Sequence, residues 1–226
     1  MGLVKFGIRF GIEKLLIDIK SFKLIFWDFD GVIKNSVEIK SQAYVSLFEH
    51  FGSKVTQKVR DHHETNGGMS RFDKLPLYLK WAGIKPKKSI INEYSEQFSK
   101  LVTQGVIDSS WVAGVESYLH SQPNYQIFIL VSATPQRELE YILFILNLTK
   151  CFSEIYGAPN TKENVIRNSL SKYNFDPSDC LMIGDAQSDL EAADINQVPF
   201  LLRRHNMNKS LFVNYKGNVI EDFTTL

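Results

Sequence analysis

The sequence predicts an α/β fold: a parallel sheet flanked by helices, with an all-helical domain inserted after the first strand. Strand-like and helix-like segments alternate along the C-terminal part of the chain, which is typical of a parallel sheet covered on both faces. Between residues 35 and 110, by contrast, no segment has a convincing strand pattern. We therefore expect a Rossmann-like core that is interrupted once by a helical cap.

Each predicted strand is a short apolar run that ends at small or polar residues. The first is "LIFW" at 24–27, which leads directly into "DFDG". The later strands are predicted at 125–132, 154–157, 179–185 and 198–203.

The core helices are predicted from apolar spacing and from capping residues. In "TPQRELEYILFIL", Thr134 is a candidate N-cap and Pro135 a candidate first helical residue. Two further core helices are predicted over 161–173 and 187–196.

The region without strands contains three predicted helices, over 38–51, 71–83 and 89–105. We assign residues 35–110 to a helical cap. The α/β core is then formed by residues 1–34 and 111–226.

Composition and charge exclude several kinds of function. With 226 residues, 44% of them hydrophobic, and a net charge of +1, the chain can bury a sizeable core, and no charge excess points to nucleic acid. No apolar run is long enough to cross a membrane. Cys151 and Cys180 lack metal-binding spacing and are expected to be buried free thiols of a cytoplasmic protein. These features leave the oligomeric state open.

The N-terminal segment 1–22 has apolar residues at helical spacing opposite basic ones. Such a helix can rest on a membrane surface, but amphipathic helices more often pack against protein. We expect protein packing here, either on the domain itself or on a partner chain.

Carboxylates and phosphate-binding groups follow the predicted strands. Asp28 and Asp30 follow the first strand, and Ser132 with Ala133 ends the second. A later loop carries Lys162, and "GDAQSD" places Asp185 and Asp189 after another strand. Because active sites of parallel α/β sheets lie at the carboxyl ends of the strands, we expect these groups to meet there.

The residue types indicate metal-assisted phosphoryl transfer. Several carboxylates at one edge would repel each other without a cation, and an all-oxygen ligand set suits Mg²⁺. A hydroxyl, backbone amides and a lysine are groups that bind phosphate. A carboxylate can also act as a nucleophile and form an aspartyl-phosphate.

Four motifs carry a resemblance to the haloacid dehalogenase-like hydrolase superfamily. "DFDGV", "LVSAT", the lysine in "APNTKENVI" and "GDAQSD" are similar to its four signature motifs and occur in the same order. The helical insertion resembles the cap of the phosphoglycolate phosphatase and β-phosphoglucomutase branch. Lys162 is not followed by proline, as it is in many phosphoglycolate phosphatases.

The resemblance implies roles for the acidic residues. Asp28 is expected to attack phosphorus, and Asp30 to serve as the acid for the leaving oxygen and then as the base for water. Asp28, the backbone carbonyl of Asp30 and Asp185 are expected to hold Mg²⁺. Asp189 either ligates the metal, directly or through water, or orients Lys162.

The resemblance also implies how the substrate is bound. Ser132 and the amide of Ala133 are expected to bind the phosphoryl oxygens, and Lys162 to offset charge on the phosphate and on Asp28. Asp30 favours phosphate chemistry over dehalogenation, because a halide leaving group needs no proton.

The cap offers one candidate substrate contact, Arg71, which follows the turn "NGG" and a possible helix cap at Ser70. A cation in the first turn of a helix gains nothing from the helix dipole, so Arg71 is a candidate for binding an anionic or hydroxyl-rich part of the substrate. The alternative is a surface ion pair with Asp73 or Glu64.

Two other groups receive plainer interpretations. His62, His63 and Glu64 are consecutive, and on a helix consecutive side chains would point about 100° apart, so they are not expected to share a metal ion. Arg203, Arg204 and His205 are interpreted as a solvated basic edge.

The sequence thus predicts an Mg²⁺-dependent phosphatase that acts on a small phosphate monoester, such as phosphoglycolate or a sugar phosphate. Two alternatives remain open at this stage. One is a mutase of the β-phosphoglucomutase type, and the other is a non-catalytic binding protein on the same scaffold. The expected partner is a small-molecule phosphate rather than nucleic acid.

Overall fold

The computed structural model describes residues 17–121, 123 and 125–225. Six parallel strands form one sheet in the order β3-β2-β1-β4-β5-β6. Their bounds are β1 Leu24–Trp27, β2 Ile127–Pro135, β3 Glu154–Ala158, β4 Cys180–Gly184, β5 Phe200–Arg203 and β6 Asn218–Ile220. The predicted parallel sheet is confirmed, and β6 is an additional edge strand that the sequence pattern did not indicate.

The central strand β1 explains why its sequence is continuously apolar. Ile25 and Trp27 lie in one hydrophobic cluster, whereas Leu24 and Phe26 lie in the cluster on the opposite face of the sheet. All four side chains are fully buried. Because both faces are covered, the strand shows no alternation of polar and apolar residues.

Eight α-helices complete the described part of the chain. They are α1 Val37–Phe48, α2 Ser53–Thr65, α3 Arg71–Trp81, α4 Lys88–Asp108, α5 Val115–His120, α6 Gln136–Ile145, α7 Lys162–Tyr173 and α8 Gln187–Ile195. Helices α1 to α4 follow one another between β1 and β2, which confirms the predicted helical insertion. Neither α2 nor the short α5 was indicated by the sequence pattern, and only Val59 and His63 of α2 are buried.

The boundary between β2 and α6 differs from the prediction. Strand β2 continues to Pro135, whose Cα pairs with that of Ala158, and α6 begins one residue later. Thr134 is therefore a strand residue rather than an N-cap. Its hydroxyl instead accepts from Nζ of Lys40 at 2.8 Å and lies 3.3 Å from Oδ2 of Asp30. Ser70 caps α3 as expected, by accepting a hydrogen bond from the amide of Phe72 at 3.2 Å.

Three remaining expectations concern membranes, thiols and the N-terminus. Among the described residues, no helix has the length and apolar character needed to span a membrane. Cys151 and Cys180 are buried free thiols, as predicted. The amphipathic pattern of segment 1–22 lies mostly outside the described residues, which begin at residue 17.

Candidate active site

Two neighbouring strands and the helix after the second deliver the acidic side chains to one edge of the sheet. Asp28 follows β1, Asp185 follows the adjacent β4, and Asp189 lies in the first turn of α8. Carboxylate oxygens of Asp28, Asp185 and Asp189 all lie within 4.8 Å of one another, and all three residues are buried. Sequence order and parallel pairing therefore produce the predicted acidic cluster, with the carboxylate of Asp30 outside this group of three.

Lys162 links two members of the acidic cluster. It is the first residue of α7, which Thr161 caps, and its Nζ lies 3.0 Å from Oδ1 of Asp28. The same Nζ forms an ion pair with Asp189. Burial opposes the charged form of Lys162, but Asp189 and Asp28 outweigh it and raise the pKa of the ammonium. Lys162 is thus a fixed cation beside the expected nucleophile.

Asp189 positions its neighbours from a fully buried site. Its Oδ2 accepts hydrogen bonds from the backbone amides of Asp185 at 3.1 Å and Ala186 at 2.9 Å. Its Oδ1 accepts from Lys162. Both oxygens are therefore occupied by protein donors, an arrangement that suits the predicted role of orienting Lys162 better than that of direct metal ligation.

The electrostatics of the acidic cluster favour a bound cation. Burial, and then the charge of Asp189, raises the pKa of Asp185 to about 8. Burial also raises the pKa of Asp28 well above its usual range, although Lys162 partly opposes the shift. A divalent cation would remove this penalty, because it offsets the mutual repulsion of the carboxylates.

Asp30 has different surroundings, on the cap side of the cluster. Its Oδ1 accepts from the hydroxyl of Ser36 at 2.6 Å, and its Oδ2 accepts from Nζ of Lys40. The hydroxyl of Thr134 lies 3.3 Å from the same Oδ2. Burial raises the pKa of Asp30, but Lys40 and Ser36 outweigh burial, so the net shift is downward. The pKa of Asp28 is thus raised and that of Asp30 lowered, the reverse of what an ionised nucleophile and a protonated acid need, so both roles depend on the charges that a cation and a phosphate would bring to the cleft.

Gly31 permits the close approach of the first and last motifs. Its φ is +76°, and a Cβ at this position would overlap the carboxylate of Asp185. Its amide donates to the carbonyl of Lys34 at 2.8 Å, which closes the turn after the two aspartates. Any side chain here would displace Asp185 or strain the backbone.

Ser132 and Ala133 lie on the wall of the same cleft as Asp28. Ser132 is buried, and its hydroxyl accepts from the amide of Thr134 at 3.2 Å. The two residues therefore share the cleft with Asp28, and their contact with phosphate stays a prediction.

Residues at the end of β5 and just after it contact the acidic cluster and the turn after β1, which the sequence interpretation missed. Nε2 of His205 lies 2.7 Å from Oδ2 of Asp185, and Nδ2 of Asn208 donates to the carbonyl of Asp185 at 2.8 Å. Burial and Arg203 lower the pKa of His205 to about 4, which favours the neutral ring. Arg203 is buried and donates to the carbonyl of Gly31 at 3.0 Å. The interpretation of Arg203 and His205 as a solvated edge was wrong, because their side chains turn back into the site.

Arg71 lies on the cleft wall, but its guanidinium is held by a core residue. It is buried and pairs with Glu138 of α6 through two contacts, NH1 to Oε2 at 2.9 Å and NH2 to Oε1 at 2.7 Å. NH1 also donates to the hydroxyl of Ser99 at 2.6 Å. Neither Asp73 nor Glu64 is its partner. The sequence could not reveal Glu138, which is 67 residues away along the chain.

The two cap histidines have separate contacts. Nδ1 of His62 lies 3.0 Å from the hydroxyl of Tyr78, whereas Nδ1 of His63 accepts from Nζ of Lys74 at 2.9 Å. Within the described residues, the only group of three or more possible metal ligands is the acidic cluster at the sheet edge. His62 and His63 thus have different partners within the cap, and Glu64 accepts from the hydroxyl of Ser41 at 2.8 Å.

A cleft between cap and core connects all these groups. It encloses about 580 Å³, including the part that is open to solvent. Core residues on its wall include Asp28, Asp30, Ser132, Lys162 and Asp185. The cap side includes Lys40, Tyr44, His63, Gly68, Arg71 and Lys74.

The family model described as haloacid dehalogenase-like hydrolase matches residues 25–202. The chain belongs to the haloacid dehalogenase-like hydrolase family. The matched range runs from β1 through the cap to β5 and contains all four motifs quoted above. The predicted membership of this family and the predicted enzyme class are confirmed. No curated protein sequence matches the chain significantly.

Solved structures of haloacid dehalogenase-like proteins have the same fold. A predicted phosphoglycolate phosphatase from Haemophilus somnus is 20% identical with a TM-score of 0.69, covering 91% of this chain and 96% of that one. β-Phosphoglucomutase from Clostridium difficile is 20% identical with a TM-score of 0.71, covering 91% and 93%. CbbY from Rhodobacter sphaeroides, solved in complex with phosphate, is 12% identical with a TM-score of 0.71, covering 89% and 95%. At these identities the likeness concerns the fold.

Proposed function

We propose that this protein is an Mg²⁺-dependent phosphatase that hydrolyses a small phosphate monoester through an aspartyl-phosphate on Asp28. The observation that carries the proposal is that two neighbouring carboxylates have different partners. Asp28 lies against Lys162 in the acidic cluster, whereas Asp30 is held by Ser36 and Lys40 on the cap side. In this proposal one carboxylate attacks phosphorus while the other handles a proton.

In the first step, a carboxylate oxygen of Asp28 forms a bond to phosphorus as the ester P–O bond breaks. The leaving oxygen takes a proton from Asp30 and departs as an alcohol. The negative charge of the bound phosphate raises the pKa of Asp30, which favours its protonated form before this step. Lys162 offsets the charge that Asp28 and the phosphoryl oxygens share.

In the second step, water attacks the phosphorus of the aspartyl-phosphate. Asp30, now ionised, accepts a proton from this water, and the bond between phosphorus and Asp28 breaks. Inorganic phosphate leaves and the Asp28 carboxylate is restored. Ser132 and the amide of Ala133 hold the phosphoryl oxygens in both steps.

The residues present fit a magnesium ion. The acidic cluster offers only carboxylate oxygens, which this hard cation prefers, and burial penalises its charges when no cation is bound. Asp28, the backbone carbonyl of Asp30 and Asp185 would hold the ion, with Asp189 contributing through its hold on the loop after β4. When bound, Mg²⁺ offsets the charge of the phosphate that the nucleophile approaches.

Similarity of fold supports a phosphate substrate but does not select one. One of the similar structures carries the name of a phosphatase, another that of a mutase, and a third contains phosphate. The mutase alternative would use the same Asp28 chemistry and return the phosphoryl group to a sugar instead of to water. A cytoplasmic location and a small-molecule partner stay predictions from the sequence.

The deciding experiment is phosphate release from a panel of metabolite phosphates with Mg²⁺, comparing the wild type with Asp28→Asn. We expect release with the wild type and none with the variant, because the amide is a poor nucleophile of nearly the same volume. A phosphorylated product without free phosphate would indicate the mutase. Turnover by pure Asp28→Asn would rule out the covalent route.

A further inference from the structure

Lys74 differs from the other cations on the cleft wall. Each of the others has a carboxylate partner: Lys40 pairs with Asp30, Arg71 with Glu138, and Lys162 with Asp28 and Asp189. Among the described residues, no carboxylate lies within ion-pair distance of Lys74. Lys74 is nonetheless only 1% exposed.

The contacts of Lys74 leave its charge uncompensated. Its Nζ donates to Nδ1 of His63 at 2.9 Å and lies 3.5 Å from the carbonyl of Gly67, which is at most a weak hydrogen bond. The ring of Tyr44 is 5.8 Å from the same nitrogen. These neighbours are all neutral, since burial and Lys74 itself lower the pKa of His63 well below its usual value.

An uncompensated buried ammonium is costly for the fold. The pKa of Lys74 reflects this cost. Burial, and then the charge of Lys40, lowers it to about 7. A methionine of similar length would fill the same space without this cost. A purely structural role therefore explains the position poorly, whereas an anion arriving in the cleft would complete the pairing.

The cap loop brings Lys74 close to the chemistry. Lys74 is the fourth residue of α3, and Gly67 and Gly68 of the preceding loop lie against Ala186 and Ser188 of the core. A Cβ on Gly68 would overlap the hydroxyl of Ser188. Asp28, Asp185, Gly68 and Lys74 thus line the wall of one cleft.

We propose that Lys74, supported by His63, binds a second acidic group of the substrate, a carboxylate or a phosphate, separate from the phosphoryl group that Asp28 attacks. This inference rests on the proposed phosphatase function and narrows its substrate class. His63 accepts one ammonium proton and so directs the others toward the cleft. The substrate then carries two acidic groups. Asp28 attacks the phosphoryl group, and Lys74 binds the other group and so determines substrate specificity.

The test compares matched ligands that differ in one acidic group. The probes are 2-phosphoglycolate with 2-hydroxyethyl phosphate for the carboxylate, and glucose 1,6-bisphosphate with glucose 1-phosphate for the phosphate. Each is measured as a competitor of p-nitrophenyl phosphate turnover with Mg²⁺. The readout is the ratio of the two inhibition constants within one protein, so a general loss of affinity cancels.

For the wild type we expect the acidic member of at least one pair to bind about tenfold or more tightly. Lys74→Met should bring that ratio close to one. Lys80→Met, which removes an exposed lysine of the same helix, should leave turnover and ratio unchanged. If the variant turns over too slowly, the same ratio is read from ligand-induced shifts in its unfolding temperature.

The outcomes separate the two proposals. Equal binding within both pairs by the wild type, or a preference that survives in Lys74→Met, would overturn the role of Lys74 and leave the phosphatase proposal intact. Failure of the wild type to turn over any phosphate would overturn the phosphatase proposal and the inference with it. The pair whose preference is lost identifies the second group as a carboxylate or a phosphate.

Discussion

The guanidinium of Arg71 in the cap and the carboxylate of Glu138 in the core form a two-point ion pair at 2.7 and 2.9 Å. Both side chains are almost fully buried, at 3% and 8% exposure. The pair links α3 of the cap with α6 of the core beside the cleft. Arg71 therefore holds the cap against the core, and its contact with substrate stays a prediction from the sequence.

Removing one partner of this ion pair should lower the stability of the fold. We expect Arg71→Met to lower the free energy of unfolding by about 3–5 kcal/mol, because it leaves the Glu138 carboxylate buried and unpaired. The double variant Arg71→Met with Glu138→Gln should recover much of this loss. Urea unfolding of the wild type, both single variants and the double variant measures the coupling.

The same double variant tests whether Arg71 also binds substrate. If it does, kcat/KM for the preferred substrate should fall by about tenfold or more even though stability is restored. An unchanged kcat/KM would limit Arg71 to its contact with Glu138.

Removal of divalent cations should stop turnover. We expect chelator to abolish phosphate release and added Mg²⁺ to restore it, since the acidic cluster needs a cation to offset its repulsion. Mg²⁺ should also raise the unfolding temperature of the wild type, and less so that of Asp185→Asn. Full activity in chelator would show that the cluster is no metal site.

Lys40 should set the pH range of the first step through Asp30. Because Lys40 lowers the pKa of Asp30, Lys40→Met should raise it. Asp30 must be protonated to act as the acid, so the alkaline limb of the pH profile of kcat/KM should move to higher pH. The measurement uses an alkyl phosphate, whose leaving alcohol needs a proton.

p-Nitrophenyl phosphate provides the control for Lys40, because its leaving group needs no proton. Its alkaline limb should shift less in Lys40→Met. Equal shifts with both substrates would mean that Lys40 acts on another group.

Lys74 should make stability depend on pH in a defined window. Its pKa is about 7 in the fold and about 10.4 in an unfolded chain, so between these values the unfolded state binds more protons. The unfolding free energy should therefore rise with pH across this window, by up to about 1.4 kcal/mol per unit. Below pH 7 the full penalty of the buried ammonium is present.

Urea unfolding at pH 7, 8 and 9 of the wild type and Lys74→Met isolates this contribution, since other titrating groups cancel in the difference. The variant should be the more stable protein at pH 7, with its advantage shrinking as pH rises. A constant difference would show that Lys74 keeps its ordinary pKa.

The sequence by itself determined which motif follows which strand and at which edge of the sheet the acidic cluster lies. Asp28 and Asp185 directly follow apolar strands, and parallel strands align their carboxyl ends, so local pattern was enough to bring these two together. The same reasoning succeeded for Lys162, because a capping threonine fixes the start of its helix.

Only the tertiary structure decided which groups complete the site. Glu138 meets Arg71, and His205 meets Asp185, across 67 and 20 residues, and no periodic pattern encodes such partners. One local signal was available for the cleft cations. Lys40, Arg71, Lys74 and Lys162 each lie within the first four residues of a helix, where the helix dipole disfavours a cation.

An unfavourable cation in the first turn of a helix indicates a candidate position but does not identify the group that the cation binds. Asp30, Glu138 and the Asp28–Asp189 pair each compensate one cation, whereas Lys74 is left with a neutral histidine. Packing of the cap helices on the core decides these pairings, because it sets which side chains share a buried volume. The sequence therefore specified which reactive groups lie at the strand ends. The packing of the cap on the core decided that Lys74 is the cation without a carboxylate partner among the described residues, and so the one proposed to bind substrate.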